Sequence, residues 1–195
     1  MTSRPHIAIV VSTTRQGRFG DTPTAWIADI ASRRGDATFE VVDLRDYPMP
    51  FFEQKIPLIY APVENDVARQ WAAKMASFDG YIFVTAEYNH SITGVLKNAL
   101  DHLYEEPQRK PATFVGYGGT GAARAIEHLR NILAELHVAT LKHAVHIGMV
   151  EMIGMLREGK QMTDYPHLEQ SAVPMLDDLV WWTVALKQAR EAATR

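Results

Sequence analysis

The sequence predicts an α/β fold in which a five-stranded parallel sheet carries helices on both faces. Five short apolar runs recur along the 195 residues, and stretches with a helical spacing of apolar residues separate them. Runs that are apolar throughout are typical of parallel strands covered on both sides. Strands that alternate with helices favour a doubly wound sheet, so we expect one domain over residues 1–195.

The first half of the chain supplies two strands and two helices. Residues 6–12 are almost continuously apolar, and residues 38–44 alternate before they become apolar. Thr22 and Pro23 are typical of an N-cap and a first helical residue, and we expect that helix to stop at Gly35. Repeated prolines between residues 47 and 62 predict a loop, after which a helix is expected from Asn65 to residue 77.

The second half supplies three strands and the remaining helices. Apolar runs predict strands at residues 80–85, 111–117 and 138–146, while helical spacing predicts helices over residues 95–103 and 122–136. Residues 148–166 are expected to be irregular, and residues 171–193 to form a closing helix.

Composition excludes several classes of function. The net charge is −3 and no stripe of lysine and arginine is present, so neither nucleic acid nor an anionic membrane surface is expected as a partner. The absence of cysteine excludes disulfides, thiolate metal sites and cysteine nucleophiles. The histidines lack the spacing of a metal site, and no apolar run approaches the length of a membrane span. We therefore expect a soluble, cytoplasmic protein without a metal.

Topology predicts where a ligand binds. With five strands and right-handed crossovers, the leading strand order is 2-1-3-4-5, as in flavodoxin-like folds, and ligands then lie beyond the carboxyl ends of the strands. Three polar loops, at residues 13–20, 86–91 and 117–119, would meet there. The strand order of a dinucleotide-binding fold would instead disperse them.

The first loop has the composition of an anion cradle. Hydroxyls at residues 12–14, the guanidinium groups of Arg15 and Arg18, and the start of a helix all offer donors. It is not a P-loop, since the Gly-Lys-Ser/Thr ending is absent. The alternative is that both arginines are solvated and the threonines form turns.

Residues 116–121 fit the pattern G-x-G-x-x-G, but they follow the fourth strand, and no acidic residue ends the next strand to bind a ribose. The glycines therefore indicate either a tight turn that approaches a flat ligand or neighbouring loop, or a helix start that needs a positive φ.

Residues 12–20, 86–91 with 94–101, and 117–125 together resemble the NADPH-dependent FMN reductase family. The resemblance implies a flavodoxin-like three-layer sandwich that binds FMN. It also implies NADPH or NADH as reductant, a quinone, flavin, azo dye or metal oxyanion as acceptor, and a homodimer or tetramer. Carried over by position, it implies FMN contacts at Thr13, Arg15 and Arg18 for the phosphate, at Phe19 and Gly20 where the loop closes, and at Glu87, Tyr88, Asn89, His90, Ser91, Tyr117, Gly118 and Gly119 around the isoalloxazine.

The sequence departs from the family pattern at three positions. Ser12 replaces a glycine, while Ala86 and Thr93 replace prolines. A serine at the first position is expected to crowd the phosphate, and the loss of two prolines to leave the flavin loop less preorganised.

No catalytic side chain is required, because the flavin carries the chemistry. Glu87 is as compatible with capping or ion pairing as with a flavin contact, and His90 with a single structural hydrogen bond. The methionines between residues 149 and 162 suit either an acceptor pocket or the core. Trp181, Trp182 and Met155 add apolar surface that predicts a homodimer.

The function predicted from the sequence is an FMN-dependent NAD(P)H oxidoreductase with a ping-pong mechanism. The alternative is a flavin electron carrier without enzymatic activity, or a flavin-dependent module that binds a partner.

Overall fold

A computed structural model describes residues 4–193 and confirms a five-stranded sheet in the order β2-β1-β3-β4-β5. All neighbouring strands pair in parallel, and one register irregularity lies between Ala112 and Phe114 of β4. The strands are β1 (His6–Val11), β2 (Thr38–Asp43), β3 (Gly80–Ala86), β4 (Pro111–Tyr117) and β5 (Ala139–Ile147).

Helices cover both faces of the sheet, as predicted for a three-layer sandwich. Successive residues of a strand point to opposite faces, so Ile7 and Ile9 of β1 face one layer while Ala8 and Val10 face the other. The first layer contains α1 (Asp21–Ser32) and α6 (Pro166–Ala193). The second contains α2 (Asp66–Ala76), α3 (Gly94–Asp101) and α4 (Ala123–Glu135).

A side-chain cap marks the start of α2 but not that of α1. The Asn65 side chain accepts a hydrogen bond from the Ala68 N–H at 3.0 Å, which confirms the predicted start of α2. The prediction of Thr22 as the cap of α1 was wrong, because Gly20 occupies that position without a side-chain bond and Asp21 is the first helical residue. The Thr24 hydroxyl instead donates to the Gly20 carbonyl at 2.7 Å within the first turn.

The expectation of an irregular segment over residues 148–166 was also wrong. It contains α5 (Met149–Arg157) and a short 3-10 helix, Met162–Asp164, and α6 begins at Pro166 instead of residue 171. The methionines at 149, 152 and 155 have the spacing of one helical face, but flanking glycines at 148 and 159 masked the signal. Gly148 is extended and Gly159 has a φ of +72°, so both glycines lie at the ends of the helix and not within it.

Lys110 joins the start of β4 to the end of α2. Its side chain is buried, and Nζ donates to the carbonyls of Met75 at 3.2 Å and Ala76 at 2.9 Å, in the last turn of that helix. Burial, reinforced by the positive charge of Arg190, lowers the pKa of Lys110 to about 8. The amine therefore stabilises the helix end at the cost of a buried charge at neutral pH.

This burial predicts a pH dependence of stability. In the unfolded chain the amine keeps its ordinary pKa of 10.5, so between about pH 8 and 10.5 the unfolded state binds more protons than the folded state. The free energy of unfolding of the native protein should then rise with pH over that window by about 3 kcal/mol relative to Lys110→Met. Denaturant unfolding at several pH values measures this rise. Lys142→Met, which removes an exposed lysine of β5, should show the same rise as the native protein. An equal pH dependence of the free energy of unfolding in the native protein and in Lys110→Met would refute the assignment of the rise to Lys110.

Candidate functional site

The loops that follow β1, β3 and β4 meet at the carboxyl edge of the sheet, as the strand order predicted. They enclose a cavity of about 310 Å³ that opens to solvent on one side. Helix α5, which the sequence analysis did not predict, forms its remaining wall. The lining residues are Arg15, Gly17, Phe19, Ala86, Glu87, Tyr88, Tyr117 and Gly118 from the loops, and Met152 and Leu156 from α5.

A buried pair of hydroxyls lies beneath the first loop. The Thr13 Oγ1 and Tyr117 Oη atoms are 3.1 Å apart, and the Phe19 ring lies over Tyr117 with 5.3 Å between centroids. A Cβ atom at Gly20 would lie 2.7 Å from that phenol oxygen, so only glycine permits this approach. Burial raises the pKa of Tyr117 to about 12 although the Thr13 hydrogen bond opposes the shift, and the phenol stays protonated at neutral pH.

The Arg18 guanidinium is buried inside the loop. Nη1 donates to the Thr13 carbonyl and to Asp43 Oδ1, the latter at 2.7 Å, and Nη2 donates to Asp43 Oδ2. Nε donates to Asp21 Oδ1 at 2.7 Å, and Nη2 lies 2.6 Å from the same oxygen. Each guanidinium nitrogen thus has a protein partner, and Arg18 ties the loop to β2 and to the start of α1.

Two other arginines lie at this loop, one within it and one that binds to it from the segment after β2. Arg15 lines the cavity, and its side chain has no hydrogen-bond or ion-pair partner within residues 4–193. Arg45 donates from Nη2 to the Arg15 carbonyl at 2.7 Å and from Nε to the Thr14 carbonyl at 3.4 Å. Arg45 was not among the site residues predicted from the sequence, although its position just after the strand that neighbours β1 was an available signal.

The loop after β3 makes a tight reversal. Tyr88 and Ser91 exchange backbone hydrogen bonds of 3.0 and 3.1 Å, and the two residues between them, Asn89 and His90, have φ values of 50° and 70°. This pattern is that of a type I′ turn, whose positive φ values asparagine tolerates and histidine adopts at some cost. Within the described chain the N–H groups of Asn89 and His90 have no acceptor, so the turn leaves two donors unpaired.

Glu87 connects this loop to the start of α4. Its carboxylate accepts from Arg124 Nε at 2.6 Å, from the Arg124 N–H at 3.2 Å and from the Thr120 hydroxyl at 3.2 Å, and its side chain is only 4% exposed. Burial tends to raise the pKa of Glu87, but the hydrogen bonds from Arg124 and the Ala125 N–H outweigh it and lower the pKa. Glu87 is thus an ion-paired cap of a helix N-terminus, one of the two roles expected for it.

The neighbouring side chains extend this network. His90 Nε2 accepts from Arg124 Nη1, and the Ser91 hydroxyl lies 2.6 Å from His128 Nδ1. Nearby, Gly121 has a φ of +63° at the start of α4, where an added Cβ would meet His146 Cβ at 2.9 Å. The helix-start interpretation of the glycine pattern is correct at that residue, while Gly118 lines the cavity beside Glu87.

Two departures from the family pattern are accommodated by hydrogen bonds. The Ser12 hydroxyl is buried and donates to the Val84 carbonyl of β3 at 2.7 Å, within the sheet. The Thr93 hydroxyl donates to the Ser12 carbonyl at 2.6 Å and accepts from the Leu96 N–H at 3.2 Å, so it caps α3 while it joins the first and second loops.

No group of three or more His, Asp or Glu side chains arranged to hold a metal occurs within residues 4–193. None of the helices described for those residues combines the length and apolarity needed to cross a bilayer.

Comparison with known proteins places these features in context. The model of the NADPH-dependent FMN reductase family matches residues 5–151. An NAD(P)H-dependent FMN reductase of Schizosaccharomyces pombe is 33% identical over 130 residues, which span 66% of this chain and 65% of that protein. A 2-hydroxy-1,4-benzoquinone reductase of a Burkholderia species is 33% identical over 142 residues, 69% of this chain and 73% of that one.

Solved structures share the fold. The flavoenzyme NAD(P)H:(acceptor) oxidoreductase of Paracoccus denitrificans superposes with a TM-score of 0.71 and 20% identity, over 93% of this chain and 98% of that one. At that identity the likeness establishes the fold alone.

The Glu87 network predicts an acid-sensitive contribution to stability. Glu87→Gln should lower the free energy of unfolding by about 2 kcal/mol at pH 7, because Arg124 loses its carboxylate. A carboxyl group with a lowered pKa stabilises the fold above its unfolded pKa of 4.5, and this contribution is lost as the pH falls through the lowered value. The difference between the two proteins in urea unfolding should therefore be full at pH 7 and shrink below about pH 4.5.

The matched control is Glu127→Gln on the outer face of α4, where the carboxylate is 78% exposed and lies 3.5 Å from Arg130 Nε. It should change stability by less than about 0.5 kcal/mol. A pH-independent loss in Glu87→Gln, or an equal loss in the control, would show that the ion pair does not hold the two loops together.

Proposed function

Since the chain belongs to the NADPH-dependent FMN reductase family, we propose that it binds FMN at the carboxyl edge of the sheet and transfers electrons from NADPH or NADH to a small-molecule acceptor. The matched region spans about two thirds of the length of the fission yeast relative, and the activity of the whole protein is part of this proposal.

The observation that carries the proposal is a set of unsatisfied donors in the loops that meet at the carboxyl edge of the sheet. On the side of the first loop, the N–H groups of Gly20 and Asp21 have no acceptor within residues 4–193, and the Arg15 guanidinium has no partner. On the other side, the N–H groups of Asn89 and His90 are free as well. Cationic and helix-terminal donors suit a phosphate, while backbone donors beside an apolar wall suit the edge of a flat heterocycle.

The residues expected to contact FMN divide between the two ends of this cavity. For the phosphate we propose Thr13 and Arg15, with Phe19 and Gly20 closing the loop. For the isoalloxazine we propose the chain from Glu87 to Ser91, largely through its backbone, together with Tyr117, Gly118 and Gly119. Arg18, which the resemblance implied as a phosphate ligand, has a protein acceptor at each guanidinium nitrogen, so without a ligand its guanidinium shapes the loop.

When bound, FMN supplies the hydride and electron transfer chemistry. The chain supplies position and electrostatics: among the cavity's side chains Glu87 is ion-paired with Arg124, and the raised pKa of Tyr117 keeps its phenol neutral. The unpaired N–H groups of the turn at residues 89 and 90 would stabilise negative charge that develops on a bound ring. We propose no catalytic acid or base.

The residues that line the cavity indicate which chemical class of electron acceptor can enter it. Met152 and Leu156 of α5 line the cavity together with Phe19 and Tyr88, so an acceptor that enters it meets apolar side chains. This favours a flat, uncharged acceptor such as a quinone over a metal oxyanion, in line with the activity named for the Burkholderia relative. One open face must then serve the reductant and the acceptor in turn, which gives a ping-pong mechanism.

We further propose a homodimer that acts in the cytoplasm, and a tetramer is the larger assembly implied by the resemblance. Trp181 and Trp182 of α6 are 65% and 39% exposed, and Val173 lies on the same helix with 45% exposure. Large apolar side chains left exposed on one helix favour burial against a second copy of the chain. Light scattering at micromolar concentration should give twice the 21.9 kDa of one chain or more, and a monomeric mass would refute the assembly.

The test of function is reduction of the bound flavin. FMN-loaded protein mixed anaerobically with NADPH should lose its visible flavin absorbance, and added quinone should restore it. Initial rates measured at several concentrations of NADPH and quinone should give parallel double-reciprocal lines.

Two outcomes would contradict the proposal. If FMN stays bound but NADPH fails to bleach it, the protein is a carrier or a flavin-dependent binding module. If the lines intersect, reductant and acceptor occupy separate sites, and the single shared face is wrong.

A further inference from the structure

We propose that the Asp21 carboxylate is an internal competitor for the phosphate of FMN, and that it makes the cofactor exchangeable. The inference rests on the proposed function, because it concerns the same phosphate end of the cavity. It assigns a specificity-determining role to a residue that neither the sequence pattern nor the family resemblance singled out.

The first step is that Arg18 presents two different edges. Its inner edge binds the Thr13 carbonyl and both oxygens of Asp43, and these partners fix the loop to β2. Its outer edge, formed by Nε and Nη2, meets a single oxygen of Asp21 at 2.7 and 2.6 Å. An edge of this kind is the fork with which arginine recognises phosphate.

The second step is the position of Asp21 itself. It is the first residue of α1, a helix that begins without a side-chain cap, and the N–H groups of Gly20 and Asp21 have no acceptor within residues 4–193. An anion is favoured at a helix N-terminus, and here the chain already supplies one. The Asp21 side chain is 58% exposed while that of Arg18 is 4% exposed, so the carboxylate can leave the arginine without opening the core.

The third step is proximity to the other proposed phosphate donors. Gly20, which precedes Asp21, lies against the hydroxyls of Tyr117 and Thr13, since a Cβ atom at Gly20 would lie 2.7 and 3.0 Å from them. A phosphate held by Thr13 and the start of α1 would therefore lie next to the Asp21 carboxylate. It must either displace that carboxylate from Arg18 or bind beside its negative charge, and both weaken binding.

Asp21→Asn should consequently tighten FMN binding about tenfold at pH 7, because a charge-assisted bond to the phosphate replaces a repulsion. Riboflavin, which has the same ring but no phosphate, should bind the variant and the native protein equally within about twofold. Flavin fluorescence titration measures both affinities. Asp21→Ser, which also removes the charge, should reproduce the result.

A matched control removes another carboxylate from the same helix. Asp29 is 68% exposed, pairs with Arg33 at 3.1 Å and lies two turns further along α1, so Asp29→Asn should leave the affinities of both flavins unchanged. Unchanged or weaker FMN binding in Asp21→Asn, or an equal gain for riboflavin, would overturn the inference.

A second measurement avoids flavin altogether. Inorganic phosphate should raise the Tm of Asp21→Asn more than that of the native protein or of Asp29→Asn, since only the first has its anion site vacated. Equal shifts in all three proteins would overturn the inference. If FMN binds and is bleached by NADPH but Asp21→Asn has no effect, this inference alone fails; if none of the proteins binds either flavin, the proposed function fails with it.

Discussion

Parallel pairing of all five strands is the constraint on which the rest of this molecule depends. It brings the carboxyl ends of β1, β3 and β4 to one edge, so that the loops that follow them must turn in a small volume and leave backbone donors without strand partners. Apolar side chains offer these backbone donors no hydrogen-bond acceptors. Ion-paired side chains hold the loops in place instead: Arg18 fixes the first loop to β2, and Glu87 fixes the second loop to α4.

Arg18 and Glu87 are both ion-paired within the protein. Both residues belong to motifs associated with cofactor binding, yet the charge of each is neutralised by another residue of the chain. In the proposed complex their contribution to the ligand is indirect: they hold in place the turn at residues 89 and 90 and the start of α1, where N–H groups have no acceptor within residues 4–193. Preorganised donors of this kind lose little freedom when a ligand binds, which favours affinity without requiring a charged contact.

The fold was largely predictable because apolar runs and helical spacing are repeated along the whole chain. Strand order, the positions of β1 to β5 and the meeting of three loops all followed from those patterns and from the handedness of crossovers. Helix α5 was missed because glycines flank a nine-residue helix. Side-chain composition predicted which loops meet, but not which residue pairs with each charged side chain. Arg18 binds Asp43, which lies 25 residues further along the chain, and no local sequence pattern predicts such a pair.

The hydroxyl of Thr93 has a consequence for how such sequences diverge. It donates to the Ser12 carbonyl and caps α3, while the Ser12 hydroxyl bonds to the neighbouring strand. Glycine and proline, which the family resemblance implies at these two positions, provide neither hydroxyl. Each hydroxyl donates to a backbone carbonyl that any residue at the partner position would supply, so neither bond depends on the side chain that makes the other. The two positions can therefore change one at a time, and each change removes one restraint while it leaves the other in place.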